Sequence, residues 1–353
     1  MLPSRAIVEL IKAKAIKLAG PSLAKKQLQP ASLDLTLGRR AWRVRASFLP
    51  SAERKVSQRL EDSLMMQEFD LSDGAIFERG CVYLVELGER LALPPTIEGA
   101  ANPKSSTGRI DVFVRLVTDY AASFDSVAAG YNGPLYAEIS PRTFSILART
   151  GSSLNQLRLK NGPCRLSDGE LETMHAKQPL SDCEQLDFNQ GLGVRVHLKA
   201  QSGSVIGHCA RRHAGLIDVD RIGALNPGDY FDPIITPENG FIILDPDEFY
   251  ILASREALSI PANMAAEMTP ISPGLGEFRV HYAGFFDPGF GVEHPSRGVL
   301  EVRSHDAPFV LEDGQLVARL VYERMAGIPE LVYGEGLASH YQGQGLKLSK
   351  HFR

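Results

Sequence analysis

Cysteine is scarce in this 353-residue chain: Cys81, Cys164, Cys183 and Cys209 stand far apart, and no C-x-x-C pair occurs. That spacing excludes a disulfide framework and fits reduced thiols, which points to a cytoplasmic protein. No run of 18 apolar residues occurs, so no transmembrane helix is expected. Met1 to Lys17 mixes Glu9 with four cations in a helical pattern, unlike a signal peptide. An excess of one charge is missing too. The 38 Lys and Arg against 42 Asp and Glu leave a net charge of −4, which argues against nucleic acid or a membrane surface as a partner. Any anionic ligand must therefore be held by a local cluster. The GxxxxGK[ST] phosphate loop is absent, and none of the nine histidines is followed two residues on by Glu. Neither a P-loop nor an H-x-E…C-x-x-C zinc site is therefore expected. His208, Cys209 and His213 lie close together but read as incidental.

The chain has 44% apolar and 23% charged residues and a length that suits two domains. Ser4 is placed to cap a helix from Arg5 to Leu18, which Gly20-Pro21 stops. From Gln29 to Gly38, Leu33, Leu35 and Leu37 alternate with polar residues as in a half-buried strand. Short strand-like runs follow at 41–44, 81–87, 90–93, 112–117, 134–139 and 143–148, punctuated by Gly and Pro as in an all-β barrel or sandwich. Residues 150–215 read as a junction, with a capped helix around Ser167 to His175 and strands resuming at 194–198.

An internal repeat organises the rest. Tyr83 to Pro94 lines up with Tyr250 to Pro261, 167 positions on, and the same offset places Pro103 on Pro270 and Ser105 on Ser272. Further along, Tyr120 to Asp125 reads against Tyr282 to Asp287, and each copy then reaches a strand carrying a glutamate, Glu138 or Glu301. Within the first copy, between Pro94 and Tyr120, Lys104-Ser105-Ser106-Thr107-Gly108-Arg109 gathers two cations, adjacent hydroxyls and a glycine, an inventory suited to phosphate.

Four blocks resemble the dCTP deaminase and dUTPase superfamily, and more narrowly its long two-module deaminases. They are Gln29 to Gly38, the Lys104–Arg109 block, Ala283-Gly-Phe-Phe-Asp287-Pro-Gly289, and the tail around Tyr333 to Gln344. The resemblance implies a mainly β chain of two tandem dUTPase-like distorted, jelly-roll-like β-barrel modules with a few short helices. Residues 1–150 would form the first module, 151–215 a junction with a helix or else the start of the second module, 216–330 the second module and 331–353 a ligand-closing tail. It implies hydrolytic deamination of dCTP to dUTP in a homo-oligomer. Mg²⁺ would be carried on the triphosphate, with no metal site in the chain and no zinc.

By the same resemblance Lys104, Ser105, Ser106 and Arg109 hold phosphate. Ala283 reads the base, Asp287 holds the sugar, and Tyr333, His340 and Gln344 close over the ligand. Glu301 or Glu138 acts as general base, with Ser105 and Arg109 holding its water. Ala121 and Asp125 are the first module's counterparts of Ala283 and Asp287. The copies diverge in a complementary way: the first keeps Ser-Ser-x-x-Arg, while the second reads Ser272-Pro-Gly and keeps Asp287-Pro-Gly. Two arrangements stay open, one combining residues of both modules and one using Arg109 with Ala121, Asp125 and Glu138. A dUTPase, a bifunctional enzyme and a non-catalytic nucleotide sensor are the alternative functions.

Overall fold

A computed structural model describes residues 1–24, 26–272, 278–281, 284–294, 296–304, 306–330, 332–333 and 345–353. The chain is mainly β and divides into two compact units. The first comprises Met1–Cys164 and Gly215–Ala224, and the second Arg165–Ala214 and Leu225–Arg353.

In the first unit the long strand Val82–Ala92 lies between Leu37–Val44 and Asn132–Pro141, with Met65–Asp70 and Val112–Thr118 outermost. A smaller sheet runs Leu33–Leu35, Asn155–Asn161, Ile97–Pro103, Ser126–Val127. Strand pairing is antiparallel in both. Leu33, Leu35, Val85, Ile139, Leu157 and Leu159 are fully buried, the inward set of these strands.

The second unit repeats this plan. Phe249–Leu258 lies between Val205–Ala210 and Ser296–Ser304, with Phe231–Ile235 and Phe278–His281 outermost. Its smaller sheet runs Leu192–Arg195, Leu316–Arg324, Met264–Pro270, Phe285–Phe286. The order matches strand for strand. One detail repeats at the level of atoms: the Tyr83 hydroxyl accepts from the Glu78 amide at 3.0 Å, and the Tyr250 hydroxyl accepts from the Asp245 amide at 2.9 Å.

Three expectations change. The first helix covers only Ser4–Lys12 and has no side-chain cap, because Ile16–Lys17 pairs with the Val82–Ala92 strand instead of continuing it. That is tertiary pairing overriding a helical pattern. The segment read as a junction, 151–215, is divided between the units. Asn155–Asn161 is an inner strand of the first unit, and its pattern was hidden because Arg158, although charged, is fully buried. The helix Asp168–Lys177 belongs to the second unit, where Ser167 and Glu170 form the capping box its sequence predicts. Residues 215–224 return to the first unit, with Ile217 paired to Ile146.

Candidate active site

Lys104, Ser105, Ser106 and Arg109 sit where the strand Ile97–Pro103 ends in a single helical turn, Ser105–Gly108. The turn stops because Asp111 takes a positive φ of 55°, a conformation Asp tolerates, and its amide bonds back to the Gly108 carbonyl at 2.8 Å. Ser106, Thr107 and Arg109 are buried, and Lys104 and Ser105 are half-buried. The Lys104 ammonium is ion-paired with the buried Asp34 carboxylate on Leu33–Leu35. Asp34 therefore holds the Lys104 cation, a partnership the sequence did not show.

Glu138 and Glu301 fall in the same register. Glu138 lies opposite Leu84 and Glu301 opposite Ile251, positions related by the 167-residue repeat. Both are buried. Glu138 is clamped by Arg115, whose Nη2 donates to Oε1 at 2.5 Å and Nε to the same oxygen at 3.1 Å. The same Nη2 also donates to Ser47 Oγ at 2.6 Å. The residue across the ladder from Glu301 is His281.

The hairpins require a correction. The Ala101 amide bonds to the Asp125 carbonyl at 2.9 Å, whereas its repeat partner Met268 bonds to the Gly284 carbonyl at 3.1 Å. Ser126 and Val127 pair with Ala100 and Gly99, and Phe285 and Phe286 with Glu267 and Ala266. Leu93 donates to the Tyr131 carbonyl and Ile260 to the Phe290 carbonyl. The structural counterpart of Asp287 is thus Ala128, not Asp125, and Asp125 corresponds to Gly284. Identical-looking Ala-x-x-x-Asp spacings misled the alignment, because the first hairpin is three residues offset from its apparent match. Asp125 instead caps its own turn at a φ of 58°, with one carboxylate oxygen accepting from the Leu116 amide at 2.7 Å. Ala121 is buried just before this turn. By the same count, the residue preceding Asp125 is Phe124, whereas the one preceding Gly284 is Ala283.

Asp287 is half-buried at the start of a turn that holds the beginning of the tail. The Tyr333 amide donates to the Pro288 carbonyl at 2.7 Å, and its ring lies 5.6 Å from that of Phe290. Ala283, His340 and Gln344 lie outside the described residues.

Two family models cover almost the whole chain. The 2′-deoxycytidine 5′-triphosphate deaminase N-terminal domain matches residues 1–163, and the C-terminal domain of the same description matches residues 167–352. The chain belongs to this family. A crystal structure of 2′-deoxycytidine 5′-triphosphate deaminase from Agrobacterium tumefaciens is 49% identical, with a TM-score of 0.91, over 96% of this chain and 98% of that one. A dUMP-forming dCTP deaminase from Methanobrevibacter smithii is 33% identical over 110 residues, 30% of this chain and 54% of the relative. One from Halobacterium salinarum is 26% identical over 192 residues, 51% of this chain and 86% of the relative. The chain spans little more than half the length of the first curated relatives it matches, at 54% and 57%. The family boundary at 163–167 coincides with the boundary between the two units at Cys164.

Sequence reading missed Arg115 at this site and, elsewhere, one buried glutamate in each unit, Glu89 and Glu256. Glu89 and Glu256 were legible, since they are related by the 167-residue offset. Arg115 had no signal beyond an apolar strand interrupted by one cation.

Proposed function

We propose that the chain hydrolyses dCTP to dUTP and ammonia. The observation that carries this reading is family membership over both units together with the retained groups: Ser105, Ser106 and Arg109 after one strand, Asp287 on a turn, and a buried glutamate at one shared register position. Lys104, Ser105, Ser106 and Arg109 supply hydroxyls and cations for triphosphate oxygens. Mg²⁺, a hard cation that prefers oxygen ligands, would be held chiefly by the substrate's phosphates. That ion would neutralise phosphate charge. Asp287 accepts the sugar hydroxyl. Neither unit carries both the phosphate block and the hairpin carboxylate.

In this reaction the strand carboxylate takes a proton from water as the water oxygen bonds to C4 of cytosine. The same proton then passes to the amino nitrogen and the C4–N bond breaks to release ammonia, while the second water proton ends on N3 and C4 keeps the oxygen as a carbonyl. A positioned carboxylate accounts for roughly 10²–10⁴-fold of rate. Incubation with dCTP and Mg²⁺ and chromatographic separation of nucleotides tests the reading. Matching dUTP and ammonia are expected, and no turnover of dCTP would sink it.

A second reading continues to dUMP and pyrophosphate, supported by relatives named as dUMP-forming. In that case dUMP replaces dUTP as the accumulating product.

A further inference from the structure

Two residues of the first unit, Ser153 and Asn155, hold buried polar atoms that meet no hydrogen-bond partner among the described residues. They are Ser153 Oγ and both polar atoms of the Asn155 amide, Oδ1 and Nδ2. Asn155 is 1% exposed. Such atoms are uncommon in a folded chain, and each destabilises it unless something answers it.

Their place in the fold ties them to the phosphate block. Asn155 opens the strand Asn155–Asn161, opposite Leu35 on one side and Pro103 on the other. The residue before it, Leu154, accepts the Lys104 amide at 2.9 Å. Lys104 in turn leads into the turn Ser105–Gly108. The unmatched amide thus stands beside the strand end that Lys104, Ser105, Ser106 and Arg109 follow.

The second unit shows what the same place looks like without that block. Gly151 donates to the Leu37 carbonyl at 2.8 Å and Leu37 to the Ser152 carbonyl at 2.8 Å, while Gly314 donates to the Val196 carbonyl at 3.0 Å and Val196 to the Gln315 carbonyl at 3.0 Å. Asn155 lies opposite Pro103, and Ala318 lies opposite Pro270. These pairings set Ser153 on Leu316 and Asn155 on Ala318. Both positions are apolar in the unit that reads Ser272-Pro-Gly and polar in the unit that keeps Ser-Ser-x-x-Arg. Packing does not call for the amide, since Ala318 fills the equivalent place fully buried.

Atoms closed to solvent do not touch a nucleotide, so Asn155 acts through something else. One water molecule both donates and accepts, and a buried water takes two to four polar partners. A hydroxyl, an amide oxygen and an amide nitrogen within three residues of chain supply that set.

We infer that Asn155 is a positioning residue of the triphosphate site. With Ser153 it seats one internal water, which braces the end of Ile97–Pro103 and so the placement of Lys104 to Arg109. This assignment rests on reading that block as the phosphate-binding element of the deaminase.

The experiment compares Asn155→Ala, Asn155→Ser and Ser153→Ala with the wild-type chain, all full length. Asn155→Ala installs the second unit's own residue, and Ser153→Ala decides where it fails to fold. Ammonia release from dCTP, equilibrium binding of inorganic triphosphate with Mg²⁺, and melting temperature are read for each. In Asn155→Ala, KM for dCTP and Kd for inorganic triphosphate are expected to rise together by roughly tenfold, the effect of one or two lost hydrogen bonds. Little change in kcat or melting temperature is expected. Asn155→Ser keeps a donor and an acceptor and is expected to recover most of the loss, and Ser153→Ala to share it in part. A high-resolution crystal structure is expected to show ordered water on the Asn155 amide.

A folded Asn155→Ala with wild-type KM and Kd, a loss confined to kcat, or an Asn155→Ser no better than Asn155→Ala would overturn the assignment. So would a protein group bonded to the Asn155 amide in place of water. A wild-type chain that turns over dCTP without binding inorganic triphosphate would remove the phosphate reading and this assignment together. A wild-type chain that releases no ammonia from dCTP would sink the deaminase reading, while triphosphate binding would still test the role of Asn155.

Discussion

Glu256 does in the second unit what Glu89 does in the first. Each is fully buried, and each accepts a backbone amide from a neighbouring strand region, Thr36 N at 2.9 Å and Arg195 N at 2.8 Å. Glu89 also accepts from the Thr36 hydroxyl and the Gln27 amide, both at 2.8 Å, and Glu256 pairs with the Arg195 guanidinium at 3.3 Å. Burial pushes both carboxyls above their ordinary value of 4.5, with the hydrogen bonds opposing it. The repeat is thus one of buried polar networks as well as of strand order.

Glu89→Gln presents an amide nitrogen to a place where three donors converge, so one donor is left facing another. An unsatisfied buried polar group costs about 1–3 kcal/mol, and urea denaturation at pH 7 is expected to show a loss of that size. The pH dependence has a definite sign. A carboxyl whose folded pKa is raised stabilises the fold fully below 4.5 and loses that contribution as pH climbs through the raised value. Denaturation midpoints at stepped pH above 4.5 should fall with rising pH in the wild type, and fall less in Glu89→Gln and Glu256→Gln.

The Asp34–Lys104 pair ties the first smaller sheet to the phosphate block. Asp34→Asn leaves a part-buried ammonium without its counter-charge, and loss of one partner of such a pair typically costs about 3–5 kcal/mol. Lys104→Met is the complementary test. If this cation is shared between Asp34 and a triphosphate, KM for dCTP rises more than tenfold with little change in kcat. A KM that stays at the wild-type value would confine Lys104 to its structural pair.

The fold was legible wherever apolar residues alternate and wherever the chain repeats itself. Tyr83 to Pro94 against Tyr250 to Pro261 gave the central strand of each unit, and Ser167 with Glu170 gave the second unit's helix. What escaped were strands that bury charge, as Arg158 does in Asn155–Asn161. The first helix was overdrawn for another reason: the pairing of Ile16 with Leu91 joins residues 75 positions apart and leaves no local trace. Of the candidate site, the Lys104–Arg109 segment and the two strand glutamates stood out in the sequence. Their partners were not, because Asp34 reaches Lys104 past the intervening strand Asn155–Asn161, and Arg115 reaches Glu138 from the adjacent strand. Asp125 was misread because residue spacing cannot distinguish a hairpin carboxylate from one that caps its own turn.

The helix Asp168–Lys177 offers a test independent of the nucleotide reading. Hydrogen bonds from the Ser167 amide and hydroxyl, and from Arg324, hold the Glu170 carboxyl down at about 2. That contribution is present above 4.5 and is lost as pH falls through about 2. Ser167→Ala removes the cap and is expected to cost about 1 kcal/mol, read as a lower denaturation midpoint with dCTP turnover unchanged. Turnover falling in step with helix loss would instead tie this helix to the reaction.

Gly289 and Gly130 separate a strained turn from a turn that also seats the tail. Both have positive φ, 93° and 72°, where any L side chain is strained. They differ in what a methyl group would meet. At Gly130 the nearest atom is Pro95 Cα, at 3.3 Å. At Gly289 the methyl would lie 2.9 Å from Val332 Cβ and 3.0 Å from the Tyr333 amide nitrogen, the group bonded to Pro288. Gly289→Ala therefore displaces the start of the tail from the turn bearing Asp287, whereas Gly130→Ala strains a turn with no tail on it. Each loses about 1–2 kcal/mol of stability to backbone strain. Only Gly289→Ala is expected to raise KM for dCTP, by more than tenfold, because the ligand then has to re-seat the tail it is proposed to lie beneath. Steady-state ammonia release measured beside melting curves makes the comparison, and equal KM values in the two variants would separate the tail from nucleotide binding.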